Sequence, residues 1–167
     1  LDEEATLAAG MAIVVEGNEI QSIQPSQDII DEFGLGVQGT SASIEGIHVH
    51  DLSGQAVVPG LVDGHTHLLW SGDRSQEVAW RQEGKTYAEI ASMGGGIRST
   101  VQCTRSALDE DLFALGYARL RSALRTGTTH LEAKSGYGLS TESELKLLNV
   151  MDRLNTIEHT PSIDPTW

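Results

Sequence analysis

Two histidines stand close together in Pro59-Gly60-Leu61-Val62-Asp63-Gly64-His65-Thr66-His67. At i and i+2 on an extended segment, both imidazoles point to the same side. Neutral imidazole is a common ligand for zinc and similar ions, so this pair could hold a metal. If the strand ends at Asp63 or Gly64, both rings project from its C-terminal end, where barrel enzymes build their sites. His48-Val49-His50 repeats the spacing in a different setting, before a plain Ser53-Gly54 turn, and reads as a chance pair.

Further residues invite chemistry. Arg74 is the first cation in the chain, since residues 1–73 hold 12 acids and no Lys or Arg. Tyr137 sits between glycines in Lys134-Ser135-Gly136-Tyr137-Gly138-Leu139, a loop that follows a buried strand. Cys103 shows no paired base and reads as a buried small residue. His130 lies within a strand and reads as a core or surface residue, and His159 falls in a polar loop.

The elements that must position these residues follow from patterning. Ala12–Glu16 and Glu19–Ile23 are β-rich runs around Gly17-Asn18, which predicts a hairpin that ends at Pro25-Ser26. Residues 31–46, rich in Gly, Ser and Thr, read as a loop or insertion, and Ile47–His50 alternates like a strand. Ala56–Val62 is a nearly continuous apolar run, suited to a strand buried on both faces. Thr86-x-x-Glu89 is a capping box for a helix to Met93, which Gly94-Gly95-Gly96 breaks. A longer helix is predicted over Asp109–Thr126, with Phe113, Tyr117, Leu120 and Leu124 as its apolar stripe and Gly127 closing it. Thr128–Ala133 reads as a second buried strand. Thr141-x-x-Glu144 is a second capping box, for a helix with Leu147, Met151 and Leu154 as its core face. Ser162–Trp167 starts a third strand. Strand, helix, strand, helix, strand points to a parallel α/β unit.

Composition narrows the class. The chain has 167 residues, Asp+Glu 24, Lys+Arg 11 and a net charge of −13, which argues against a basic nucleic-acid-binding face. No apolar run nears the roughly 18 residues of a membrane span. The start, LDEEATLAAG, lacks the basic residues of a signal peptide. One cysteine cannot form an internal disulfide, which suits a reducing cytoplasm.

Together these segments carry a resemblance. Pro59–His67 resembles the first barrel strand of the metal-dependent amidohydrolase superfamily. Ser71-Gly72-Asp73-Arg74, Gly94-Gly95-Gly96-Ile97 with Ser99-Thr100-Val101, and Glu132–Leu139 followed by Thr141–Lys146 are similar to the imidazolonepropionase family. The likeness runs from about residue 52 to 154. It implies an α/β fold: a (β/α)₈ TIM barrel, of which about two βα units and the beginning of a third are present. Part of a small β-sandwich would precede it, with residues 1–55 in the sandwich and 56–167 in the barrel. It implies His65 and His67 as ligands of one divalent metal, zinc or iron. Arg74 would bind the substrate's carboxylate, as a guanidinium fork does well, and Tyr137 would touch the substrate. Lys134 takes a structural or supporting role, because the family resembles the mononuclear type.

The implied reaction is hydrolytic opening of the ring of 4-imidazolone-5-propanoate to N-formimino-L-glutamate, in histidine degradation. The implied partner is a small anionic substrate, with neither nucleic acid nor membrane, and the superfamily often dimerises. Further ligands and the general base are expected beyond Trp167, because a full barrel takes about 250 residues. The chain is therefore expected to be part of a longer one and inactive alone. Another cyclic amidohydrolase or aminohydrolase, or a truncated non-catalytic chain, are the alternatives.

Overall fold

In the computed structural model, which describes residues 8–35, 42–44 and 46–167, the chain divides into two compact units, Leu1–Val57 and Val58–Trp167. The first unit is built from short antiparallel pieces. β1 (Met11–Glu16) and β2 (Glu19–Pro25) pair around the Gly17-Asn18 turn, as expected, with a register shift between Val14 and Val15. α1 (Ser26–Glu32) follows without a break, so the stretch expected to be a loop from residue 31 begins inside a helix. β3 (Ala42–Ile44) pairs with β4 (Ile47–Val49), which adds a strand to the same stretch. Residues 36–41 and 45 of that stretch lie outside the described residues, as does most of the acidic N-terminal start. His48 and His50 are exposed, in keeping with a chance pair.

The second unit is α/β. β5 (Leu61–Thr66) leads to three helices in succession: α2 (Gln76–Gln82), α3 (Tyr87–Ser92) and α4 (Ile97–Ser106). α5 (Asp109–Arg125), β6 (Thr128–Lys134), α6 (Thr141–Asn155) and β7 (Ser162–Thr166) complete it. The three strands form one parallel sheet in the order β5-β6-β7. Parallel neighbours need a crossover; α6 supplies it between β6 and β7, and α2 to α5 lie between β5 and β6.

The core lies between the sheet and the last two helices. Leu131 and Ala133 of β6 and Ile163 of β7 pack with Leu112 and Leu120 of α5 and with Leu147, Val150, Met151 and Leu154 of α6. Leu68 and Leu69, just after β5, join them. The expected face of α6 is therefore buried, and Val150 belongs to it as well.

Four expectations need correction. The fully buried face of α5 runs through Leu112, Gly116 and Leu120; Phe113 and Tyr117 of the expected stripe are partly buried and pack against the core, while Leu124 does not join it. The cause is close packing at Gly116, where a Cβ would stand 2.5 Å from Leu154 and 2.7 Å from Leu69. Leu124, further along the helix, is 37% exposed. Secondly, the apolar run at Ala56–Val62 is not a strand buried on both faces. β5 starts at Leu61, and Val58, Leu61 and Val62 are 61%, 57% and 67% exposed. β5 is an edge strand with β6 as its one partner, and nothing among the described residues covers it. Thirdly, Ser140, not Thr141, caps α6, accepting from the Ser143 N–H, which frees Glu144 for another task. Fourthly, Cys103 is half-buried rather than buried.

The Thr86 capping box forms as expected: Thr86 Oγ1 accepts from the Glu89 N–H, and the Thr86 N–H donates to Glu89. α2 and α4 had no sequence expectation. Both are short, and Ile90 of α3 and Val101 of α4 are their neighbourhood's buried apolar anchors.

Candidate functional site

The C-terminal ends of three parallel strands bring the site residues together. In open α/β sheets ligands bind outside the carboxyl ends of the strands. β5 carries His65 in its last residues and His67 just beyond, so the strand runs past the Asp63–Gly64 end expected for it. Alternation still puts the two imidazoles side by side, with ring centroids 5.5 Å apart and planes at 88°. The Asp63 carboxylate accepts the His65 N–H at 3.1 Å and steadies the strand end.

The segment after His67 is tied to the helices. Arg119 of α5 donates from one nitrogen to the Leu68 and Trp70 carbonyls, at 2.8 and 3.0 Å, and stacks its guanidinium over Trp70 at 3.9 Å. Burial lowers the Arg119 pKa. The Ser71 N–H donates to Thr104 of α4. His67 thus stands between a strand and an anchored loop.

β6 ends in Glu132 and Lys134, which lie on one face of the strand at i and i+2. Glu132 Oε2 lies 3.6 Å from His65 Nδ1, and Oε1 lies 3.4 Å from Lys134 Nζ. The Thr166 hydroxyl of β7 donates to Glu132 Oε1. That bond, then Lys134 and His65, holds the Glu132 carboxyl below the usual range despite partial burial. Glu132 has no role on sequence grounds; its place at i+2 from His130 and beside Leu131 and Ala133 is the only local signal, and it names no partner.

The loop after β6 is held from beneath by Glu144. This carboxylate is buried, 5% exposed, and accepts N–H bonds from Gly136 (2.7 Å), Gly138 (2.9 Å) and Leu139 (2.6 Å). Burial alone would raise its pKa, but the backbone donors outweigh that and lower it. The loop passes so close to the histidine that a Cβ on Gly136, whose φ is +125°, would stand 2.9 Å from the His67 ring. Tyr137 then lies with its ring 5.1 Å from that of His67. A hollow of about 370 Å³ opens here, lined by His67, Lys134, Gly136, Glu144 and Trp167 among others. A larger one, about 570 Å³, runs along α4 but holds no histidine or carboxylate.

Arg74 follows β5 in the loop before α2. Its Nε and Nη2 donate to the two oxygens of Glu77, both at 2.7 Å, a bidentate pair that sequence reasoning missed although i, i+3 spacing could have shown it. Its pKa is raised, first by Glu77 and also by the nearby Tyr137 and Tyr87. His130 bonds to Ser162 across the sheet at 2.8 Å, and His159 occupies a turn with φ +61°. Neither joins the site.

The donor set suits a metal only in part. His67 Nδ1 and Glu132 Oε2 are buried without a hydrogen-bond partner, which is costly unless something else satisfies them. Two imidazoles fit a divalent ion, but no cluster of three or more His, Cys, Asp or Glu ligands occurs among the described residues.

Known proteins show what the chain is similar to. Imidazolonepropionase of Aeromonas salmonicida is 44% identical over 143 residues, 86% of this chain. This chain is related to the imidazolonepropionases. The Pseudomonas fluorescens imidazolonepropionase is 45% identical over 150 residues, 90% of the chain, and a probable imidazolonepropionase of Xenopus tropicalis is 43% identical over 162 residues, 91% of it. The chain spans about a third of these relatives' own length: 32%, 36% and 36%. No family model matches it.

Proposed function

We propose that the full-length protein containing this chain is an imidazolonepropionase, a hydrolase that opens the ring of 4-imidazolone-5-propanoate at a C–N bond to give N-formimino-L-glutamate in histidine degradation. The observation that carries the reading is 44% identity to an imidazolonepropionase over 86% of the chain. The parallel β5-β6-β7 sheet with its crossover supports a (β/α)₈ barrel begun here, and the β1-β2 hairpin supports a share in a small β-sandwich. A cytoplasmic homodimer belongs to the same proposal; among the described residues no helix is long and apolar enough to cross a membrane.

His65 and His67 would hold one divalent ion, zinc or iron. The unpartnered, buried His67 Nδ1 supports this, since a bound ion would satisfy a nitrogen of that ring directly or fix its tautomer. Held there, a divalent ion would supply a water activated for attack at neutral pH, its pKa brought to about 7. This chain's own residues bind and orient. Arg74 takes the propionate carboxylate, and Tyr137, beside His67 and near Arg74, sets the substrate's angle; both contribute positioning. Lys134 and Thr166 hold Glu132 in place beside His65.

The test is the loss of imidazolone absorbance when the full-length protein meets the substrate. Turnover is expected in wild type, with Ala at His67 lowering both turnover and bound metal to near background. Wild-type turnover no faster than the His67→Ala control would refute the proposal.

A further inference from the structure

Glu77 has no role in the chemistry described so far, yet it is among the most heavily engaged side chains of the second unit. It is 5% exposed and lies in the first turn of α2. Beside the Arg74 fork, it accepts the Gly96 N–H at 2.6 Å, and Arg81 Nη2 stands 3.8 Å away. Arg74 and Arg81 are 35% and 60% exposed, against 6% for the Glu77 side chain. A buried carboxylate therefore faces two outward-reaching guanidinium groups, and the cluster keeps a net charge of one positive unit.

The geometry decides which edge of Arg74 is free. A guanidinium has five N–H donors in a rigid plane and can grip a carboxylate side-on, through Nε and one Nη, or end-on, through both Nη. Glu77 occupies the side-on edge. Nη1 has no hydrogen-bond partner among the described residues, so the end-on edge remains open. The Gly96 N–H donates to Glu77 Oε1, the oxygen that also receives Arg74 Nε, and this backbone anchor restrains the carboxylate from turning with Arg74.

We propose that Glu77 is a positioning residue, which clamps the side-on edge of Arg74 so that its end-on edge receives the substrate's carboxylate. This rests on the reading that Arg74 binds that carboxylate. Glu77 itself touches no substrate. Its contribution is to hold a long cationic side chain in one orientation, which removes ordering cost from binding. The carboxylate stays ionised well into acid, with its pKa lowered to about 2 by Arg74 first and the Gly96 N–H next, so the clamp persists over the working range of pH.

The experiment uses the full-length protein and two substrates, imidazolone propionate and its propionamide, which lacks the charge. For Glu77→Gln the KM for the anion should rise about tenfold, with kcat within about twofold and the amide unaffected. Arg74→Lys, which cannot fork, should raise the KM for the anion at least as much. Adding Glu77→Gln to Arg74→Lys should then cost nothing more, because the two residues act as one unit. Equal losses on both substrates, or a further tenfold loss in the double variant, would overturn the proposal and leave Glu77 as a packing residue. If Glu77→Gln does not fold, Glu77→Asp keeps the charge but not the reach, and should show the same split at a smaller size. The Arg74 Nε–H signal in NMR is independent of turnover. It should exchange slowly in wild type and quickly in Glu77→Gln. Fast exchange in wild type overturns the clamp even if the enzyme is active, whereas slow exchange without turnover upholds the clamp and refutes the activity.

Discussion

Glu144 shows how one side chain can shape a site it does not enter. Three backbone N–H groups converge on it, and they hold the loop that sets Gly136 against His67 and Tyr137 beside it. Replacing it with Ala strands those donors in a buried place. The Glu144→Ala variant should lose about 3 kcal/mol of stability at neutral pH, read by denaturant unfolding of the full-length protein. The gap should narrow in acid. The folded pKa is depressed below the ordinary 4.5, so the wild-type advantage is complete above that value and fades as pH falls through the folded one. A gap that stays constant down to strongly acid pH would show that packing, not the charge, carries the effect. The sequence made Glu144 look like a capping-box partner, because S/T-x-x-E is the pattern of one. The competing choice, Ser140 as cap, lay one residue upstream and could be settled only by where the loop folds back.

At the scale of elements, patterning was legible where one interaction dominates. The hairpin follows from two β-rich runs around Gly17-Asn18, and the Thr86 box and the Asp109–Arg125 helix follow from caps and end charges. α2 and α4 were not, since each is brief and anchored by contacts with other elements. On α5 the stripe was legible in part: Leu120 is fully buried and Phe113 and Tyr117 pack against the core, while Leu112 and Gly116, which fit helical spacing equally well, complete the buried face. Gly116 does so because it lets α6 come close. Gly116→Val should therefore destabilise the protein by at least about 2 kcal/mol, through overpacking against Leu154 and Leu69. A melting temperature unchanged from wild type would contradict the close approach.

For the molecule as a whole, the apolar edge at β5 matters most. Leu61 and Val62, on a strand with one neighbour, and Val58 just before it are each more than half exposed. An exposed hydrophobic edge strand invites association. The 167-residue polypeptide expressed alone should bind a hydrophobic dye strongly and form large aggregates, whereas the full-length protein should bind little dye and not aggregate. Weak dye binding by the isolated polypeptide would mean that its own residues cover this edge. Its net charge of −13 opposes association and should make it worse in high salt.

Chemistry and spacing alone determined the pairing of His65 with His67, because strand alternation is a local rule, and they determined the parallel α/β plan, because caps, turns and apolar periods are local too. The likeness to relatives was legible in the same short segments. Tertiary structure alone decided the partners: Glu132 beside His65, Glu144 under the Tyr137 loop, and Glu77 on Arg74. The first rests on strand ends converging from distant parts of the chain, and the second on how the short loop before α6 folds back over Glu144. The third, though only three residues apart, depends on Gly96 and the burial around it. A carboxylate's role is set by which donors reach it, and spacing names only the local ones: it offers Arg74 to Glu77 but not the Gly96 N–H.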